Sequence, residues 1–307
     1  MISVVVPTKN RGDDLKNFCD SICRQTVLPD ELIIVDQSEC PQELDMNKLN
    51  ALVSMKYIHD PNIRGLCAAK NVGIQYCNGD VIHFFDDDII LSQNYFEIID
   101  KHFAEHPEYF GLCGRQQNSV SSKIKIVIFD LFHRGAFKDV RKKCNSGYQK
   151  ECIVDTKILP GGVTAYRREV FQKYRFDEVL IGYCLGEDMD FSYRVSSVYK
   201  LGFAVDALVI HNHSTVNRYD PVETFACKIA GYSYFYRKNI EKNLFNKLSY
   251  LLVHIGILAD ACGYAVKNSN INSFRGLKKG RRYLREGFRG VPFIDYCKIA
   301  EKEAPND

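Results

Sequence analysis

Several features are scarce or missing in this chain. Its twelve cysteines include no CxxC pair, so the close ligand spacing of a structural metal site is absent. Cys19 and Cys23 sit at helical spacing, and the cysteines are expected to be reduced, many of them buried as small apolar residues. No basic leader precedes the short apolar run in "MISVVVPTKNR", so an export signal is not expected. No internal repeat or low-complexity tract is visible. One long apolar stretch exists, Leu248 to Val266, which argues against a chain threading a membrane many times. The net charge of +3 is too small to imply nucleic acid. The basic segment near the C-terminus lacks the aromatic interleaving of a nucleic-acid module, so no nucleic-acid partner is expected.

What is present is an alternation of buried strands and amphipathic helices. "ISVVVPT" and "ELIIVDQS" are continuous apolar runs, the pattern of parallel strands covered on both faces. Between them, Leu15, Phe18, Cys19 and Ile22 recur at helical spacing, with Asp13 or Asp14 as the expected N-cap. "MKYIHD" reads as a third strand, "GLCAAKNVGIQYC" as a helix and "GDVIHFF" as a fourth strand. Residues 93–105 read as helix and 110–117 as strand. Residues 118–155 are irregular and basic; "KIKIVIFDLFHRG" there reads equally as strand, helix or flap. Residues 186–202 read as a helix with acids in its first turn, followed by a last strand closing on His211 and His213. This is a doubly wound α/β layout, whose ligands bind at the carboxyl ends of the strands.

The fourth strand stops on Asp86, Asp87 and Asp88. Adjacent carboxylates repel, and burying one without a partner is costly. A hard divalent cation, Mn²⁺ or Mg²⁺, would resolve the conflict by sharing carboxylate oxygens with a substrate diphosphate. Ordinary solvation of an acidic turn would resolve it as well. Strand alternation puts Asp86 and Asp88 on one side and Asp87 on the other.

"VVVPTKNR", "ELIIVDQS", "RGLCAAKNVGI", "GDVIHFFDDD" and "GEDMDFSYR", in this order and spacing, resemble the family 2 glycosyltransferases over about residues 1–215. The resemblance implies the GT-A fold, a mixed, mostly parallel Rossmann-like sheet flanked by helices, and inverting transfer from a nucleotide-diphosphate sugar. It places Pro7, Thr8 and Arg11 along the nucleotide, Asp36 at the base, Arg64 at the base or diphosphate, and Asp86 near the ribose. Asp87 lies between these groups, and Asp88 would ligate the metal with His211, favoured over His213. Asp188 would be the general base with Glu187 beside it, while Asp190 is expected on the helix surface. Gly161 and Gly162 would form a tight turn by the acceptor pocket.

Two domains are expected: 1–217, carrying the glycosyltransferase fold, and 218–307, a helical extension. In that extension Lys267 to Gly290 holds eight Lys/Arg against Glu286 alone, about +7, leaving the remainder net acidic. The apolar helix before it reads as a membrane span, a helix packed on the catalytic domain, or an interfacial helix beside a basic patch facing anionic lipid. The last fits a glycan or lipid-linked acceptor, in bacterial surface polysaccharide assembly, and a cytoplasmic enzyme at the inner face of the cell membrane. The competing functions are a nucleotidyltransferase and a non-catalytic nucleotide- or glycan-binding protein. "PTKNRGDD" has one glycine and fits the Gly-rich phosphate loop of the first poorly; the second would be expected to lack the acids that are present here.

Overall fold

The computed structural model describes residues 1–180, 186–214, 216 and 220–287. In chain order the elements are β1 (Ile2–Thr8), α1 (Gly12–Ile22), β2 (Glu31–Asp36), α2 (Met46–Asn50), β3 (Ser54–His59), α3 (Leu66–Ile74), β4 (Val81–Phe85), β5 (Ile89–Leu91), α4 (Tyr95–Glu105) and β6 (Tyr109–Gln116). Then come α5 (Lys123–Phe132), a 3-10 turn (Gly135–Phe137), α6 (Arg141–Asn145), β7 (Ile153–Thr156), β8 (Val163–Arg167), α7 (Val170–Lys173), α8 (Glu187–Ser196) and β9 (Lys200–His211). Three helices close the described chain: α9 (Pro221–Asn239), α10 (Leu244–Asn268) and α11 (Asn272–Gly287).

The strands form one mixed sheet of nine, in the order β3-β2-β1-β4-β8-β6-β9-β5, with β7 added against β9. β3, β2, β1 and β4 run parallel. Period-two alternation divides their side chains between two cores. Ile2, Val4, Val6 and Phe85 join Leu15, Phe18 and Phe96 on one face. Val5, Ile33, Ile82 and Phe84 join Cys67, Phe176 and Phe191 on the other. Both faces are covered, which is why these strands read as unbroken apolar runs. Free cysteines 19, 67, 77, 113 and 144 are buried, as small apolar residues are expected to be.

A third core gathers Phe137, Ile158 and Met189 with residues of α9, α10 and α11, among them Phe225, Phe235, Val253 and Leu277. The C-terminal helices therefore pack on the segment that carries the Glu-Asp pair. This explains one correction. Asp190, expected on the helix surface, is buried and bonded by Arg194, Lys238 and Asn239. Lys238 and Asn239 belong to α9, which covers α8 and has no distinctive sequence signal.

Other expectations shift by local geometry. Arg11, not Asp13 or Asp14, is the N-cap of α1; both acids sit in the first turn, where the dipole favours them. α8 ends at Ser196 rather than near Gly202, because Lys200 already begins β9. Of the ambiguous 123–135 stretch, Lys123–Phe132 is helix α5, capped by Ser122 accepting from Lys125 N–H, and Gly135 begins the 3-10 turn.

Candidate active site

The sheet brings five chain segments to one edge. β1 and β4 are parallel neighbours, so Thr8 and Asp86 emerge side by side at their carboxyl ends, the ligand-binding edge of such sheets. β8 runs antiparallel to β4, with Val163 opposite Phe85, so the Gly161–Gly162 turn before β8 arrives at the same edge. β5 runs antiparallel to β9, with Ile89 opposite His211, so the aspartates before β5 meet the end of β9. Glu187 and Asp188 open α8 just after Gly186, whose φ of 101° lies in the left-handed region that favours glycine.

β4 ends at Phe85, so Asp86 to Asp88 form the turn into β5 rather than a strand. Asp86 and Asp88 converge because the turn folds them together, not through strand alternation. Together with the His211 ring they bring three ligand atoms within 4.8 Å of one another. His211 Nε2 is 3.1 Å from Asp88 Oδ1, and Ser214 N–H donates to Asp88 Oδ2 at 2.8 Å. Burial would raise the Asp88 carboxyl, but the His211 ring and the Ser214 amide outweigh it and hold it down at about 2. The Asp86 carboxyl has no hydrogen-bond partner among the described residues. Burial raises it above the usual range, with Asp88 adding to the shift and Lys70 opposing it. Two carboxylates and an imidazole, one carboxylate unpartnered, suit a hard to borderline divalent cation. The His213 ring lies against His211, with ring centroids 4.0 Å apart and planes tilted by 33°.

Asp87 turns toward β1. Thr8 Oγ1 donates to its Oδ2 at 2.7 Å and Arg11 Nη1 to its Oδ1 at 3.0 Å. Burial pushes this carboxyl up to about 7 against the opposing pull of Arg11 and Thr8. Arg11 also donates to the Val216 carbonyl. Thr8, Arg11 and Asp87 thus form one hydrogen-bonded cluster at the carboxyl ends of β1 and β4. Pro7 is buried in β1 beside Val35.

Asp36 is differently placed from a free reader of a base. It is fully buried. Ser38 donates to its Oδ1 from both N–H and hydroxyl, and Gln42 N–H and the Tyr57 hydroxyl donate to its Oδ2. Four donors fill the four lone-pair positions of a carboxylate, so a nucleobase contact there would displace one of them. Arg64 is exposed before α3 and makes no hydrogen bond or ion pair among the described residues.

Glu187 and Asp188 are held by groups that lie outside the expected set. Lys70 on α3 is completely buried; its Nζ donates to Glu187 Oε1 at 2.9 Å and to the Gly161 carbonyl at 3.1 Å. Burial raises Glu187 to about 7, with Lys70 opposing and Asp188 adding. Asp188 Oδ2 accepts from Gly161 N–H at 3.2 Å and from Arg141 Nη1 at 3.3 Å. Arg141 is anchored in turn on buried Asp139. A side chain at either glycine would force a site carboxylate to move. A Cβ on Gly161 would lie 2.3 Å from Glu187 Oε1, and one on Gly162 2.3 Å from Asp86 Oδ2. Lys70 lies inside the RGLCAAKNVGI motif, but its inward direction carries no local signal. Arg141 lies in the irregular, basic stretch 118–155.

Comparison with known proteins agrees with this architecture. The family described as Glycosyl transferase family 2 matches residues 3–175. The chain belongs to glycosyl transferase family 2. Among family relatives, it is 27% identical over 233 residues to the O-antigen chain rhamnosyltransferase RfbN of Salmonella typhimurium, covering 73% of this chain and 69% of that one. It is 23% identical over 219 residues to the pre-mycofactocin glycosyltransferase of Mycobacterium tuberculosis, covering 70% of this chain but 43% of the relative. In fold it is similar to residues 1–349 of S. aureus TarS in complex with UDP-GlcNAc, with a TM-score of 0.58, 15% identity and coverage of 98% and 90%. It is also similar to the mannosyltransferase PcManGT of Pyrobaculum calidifontis in complex with GDP-Man and Mn²⁺, with a TM-score of 0.55, 14% identity and coverage of 98% and 86%. As a family 2 member the protein is a glycosyltransferase with the GT-A fold.

Proposed function

We propose that this glycosyltransferase moves a sugar, with inversion, from a nucleotide-diphosphate sugar to an acceptor hydroxyl in bacterial glycan assembly. The observation that carries the reading is the meeting at one sheet edge of two acidic sets, Asp86/Asp88/His211 and Glu187/Asp188, across the Gly161–Gly162 turn. The donor would lie across the carboxyl ends of β1 and β4, with Pro7, Thr8, Arg11 and Asp87 along the nucleotide. Arg64 and Asp36 are assigned to the base end, Asp36 by exchanging one of its four donors. Asp86 is assigned to the ribose side, shared with the cation position. Asp88 and His211 would hold Mn²⁺ or Mg²⁺, which would supply Lewis-acid stabilisation of the leaving diphosphate.

Asp188 is assigned as the general base. The acceptor oxygen attacks the anomeric carbon from the face opposite the diphosphate. Its proton passes to an Asp188 oxygen, the new C–O bond forms, and the old C–O bond breaks with its electron pair leaving on the nucleoside diphosphate. Arg141 and the Gly161 amide fix the orientation of Asp188, and Lys70 fixes Glu187 beside it, so the reactive geometry is set before the acceptor arrives. Arg141, Lys70 and Glu187 are positioning residues in this scheme.

One relative supports a surface-glycan setting: RfbN is an O-antigen chain rhamnosyltransferase. The acceptor is accordingly assigned as a growing glycan, lipid-linked or free, and the enzyme to the cytoplasm or the inner face of the cell membrane. The test is Asp188→Asn, assayed for donor binding and for transfer across UDP-, dTDP- and GDP-sugars with Mn²⁺. Intact binding with transfer abolished is the expected result; transfer at the normal rate would remove the base assignment.

A further inference from the structure

α10 is apolar on two opposite faces. Ser249, Val253, Ile257 and Ala261 point inward and are buried. Leu244, Leu248, Leu251, Ile255 and Leu258 recur at intervals of three and four on the opposite side, and every one of them is exposed, Leu251 by 55%. The helix is 25 residues long, so this outer stripe extends over much of about 37 Å. α5 lies against it, so tightly that a Cβ on Gly256 would come 2.8 Å from Phe132 Cβ. α5 repeats the pattern: Ile126 is buried, while Ile124, Val127 and Leu131 are exposed, Val127 by 68%. Two neighbouring helices thus carry exposed aliphatic stripes, well beyond the scattered apolar residues of an ordinary surface.

The charged residues of α5 and α10 are mostly positive. Lys123 and Lys125 begin α5, and Lys247 and Lys267 lie near the two ends of α10. α11 packs on the inward side of α10, where Ser273 Oγ donates to the Ala261 carbonyl at 2.8 Å, and it carries exposed Arg275, Lys278 and Arg281. The acids on α5 and α10 are Asp130 and Asp260, and Asp260 is paired with Lys228 at 2.5 Å.

We infer that the α5–α10 face docks flat onto an anionic lipid bilayer, its aliphatic stripes entering the headgroup boundary and its lysines and arginines facing the lipid phosphates. Aliphatic insertion flanked by basic charge is the chemistry of an interfacial helix. A second copy fits less well, because a two-fold contact on this face would set one basic rim against the other. A span by α10 would strip Val253 and Ile257 from the third core and carry the Lys228–Asp260 pair into hydrocarbon.

The test is flotation of the full chain with vesicles of phosphatidylcholine alone and of phosphatidylcholine containing about one quarter phosphatidylglycerol. Binding should be at least about tenfold greater on the anionic vesicles. Leu251→Ser with Val127→Ser should lose it, and so should Lys123→Glu with Lys125→Glu, while far-UV circular dichroism and hydrolysis of a soluble donor stay at the wild-type level. Failure of the wild-type chain to float, equal binding to both vesicles, or unchanged binding by either folded variant would overturn the inference. So would a wild-type dimer in sedimentation that Leu251→Ser dissociates, since the face would then belong to a second copy. Flotation needs no turnover, so its result stands apart from the glycosyl-transfer reading.

Discussion

Arg141 Nη1 lies 3.3 Å from Asp188 Oδ2, while Nη2 of the same guanidinium lies 2.7 Å from Asp139 Oδ2. One planar fork therefore ties a side chain at the start of α8 to a buried acid ahead of α6. Lysine has the charge but not the fork. Arg141→Lys is expected to lower kcat by about 100-fold, the cost of misplacing a catalytic group by about an ångström, with KM for the donor little changed. A kinetic comparison at matched thermal stability checks this; an equal loss in KM would place Arg141 on the donor instead.

The Lys70–Glu187 pair is buried at both ends, and breaking such a pair leaves an unpaired charge in the interior. Lys70→Met is expected to destabilise the fold by about 3–5 kcal/mol. Adding Glu187→Leu should return much of that stability without returning activity, because two apolar residues can replace a buried pair. Urea unfolding of the two variants measures both values. A double variant no more stable than Lys70→Met alone would contradict the account of the pair.

Gly162 leaves room for Asp86, since an added Cβ would sit 2.3 Å from its carboxylate oxygen. Gly162→Ala is therefore expected to push the Asp86 carboxylate aside and weaken divalent-cation binding by about 10–100-fold, the usual effect of disturbing a group that supports a ligand. Mn²⁺ titration by electron paramagnetic resonance reads this directly, and unchanged affinity would separate Asp86 from the cation.

His83 sits fully buried in β4 among Phe85, Tyr95 and Phe96, and neither ring nitrogen has a hydrogen-bond partner among the described residues. Burial lowers its pKa to about 3. Between that value and the ordinary histidine pKa of about 6.5, the unfolded chain binds the proton and the folded chain does not, so stability falls as pH falls through this window. Wild-type protein should lose about 2 kcal/mol from this residue between about pH 7 and pH 5. Denaturant unfolding of His83→Phe at both pH values should show a loss smaller by that amount; identical losses would contradict the burial argument.

The parallel half of the sheet was legible because Val4–Val6, Ile33–Val35 and Phe84–Phe85 are buried on both faces, and continuous apolar runs report that condition. The acids at the ligand edge were legible as motifs, and the structure brings Asp86, Asp88 and His211 together. What was not legible depends on contacts distant in sequence. Asp190 reads as surface until α9 covers it. Asp36 reads as available until Gln42 and Tyr57 close over it. Arg141 reaches Asp188 across 47 positions, from a segment whose pattern fits no single element. β5 is three residues long, too short for periodicity to show.

In the proposed reaction the turn after β4 and the end of β9 would hold a divalent cation shared with a nucleoside diphosphate. Calorimetric titration of the wild-type chain and Asp88→Asn with UDP, dTDP and GDP, with and without Mn²⁺, tests it most directly. One of these diphosphates is expected to bind wild type at least about tenfold more tightly with Mn²⁺, and Asp88→Asn to reduce this to the metal-free value. Diphosphate binding in the wild type that ignores Mn²⁺ and survives Asp88→Asn unchanged would contradict it.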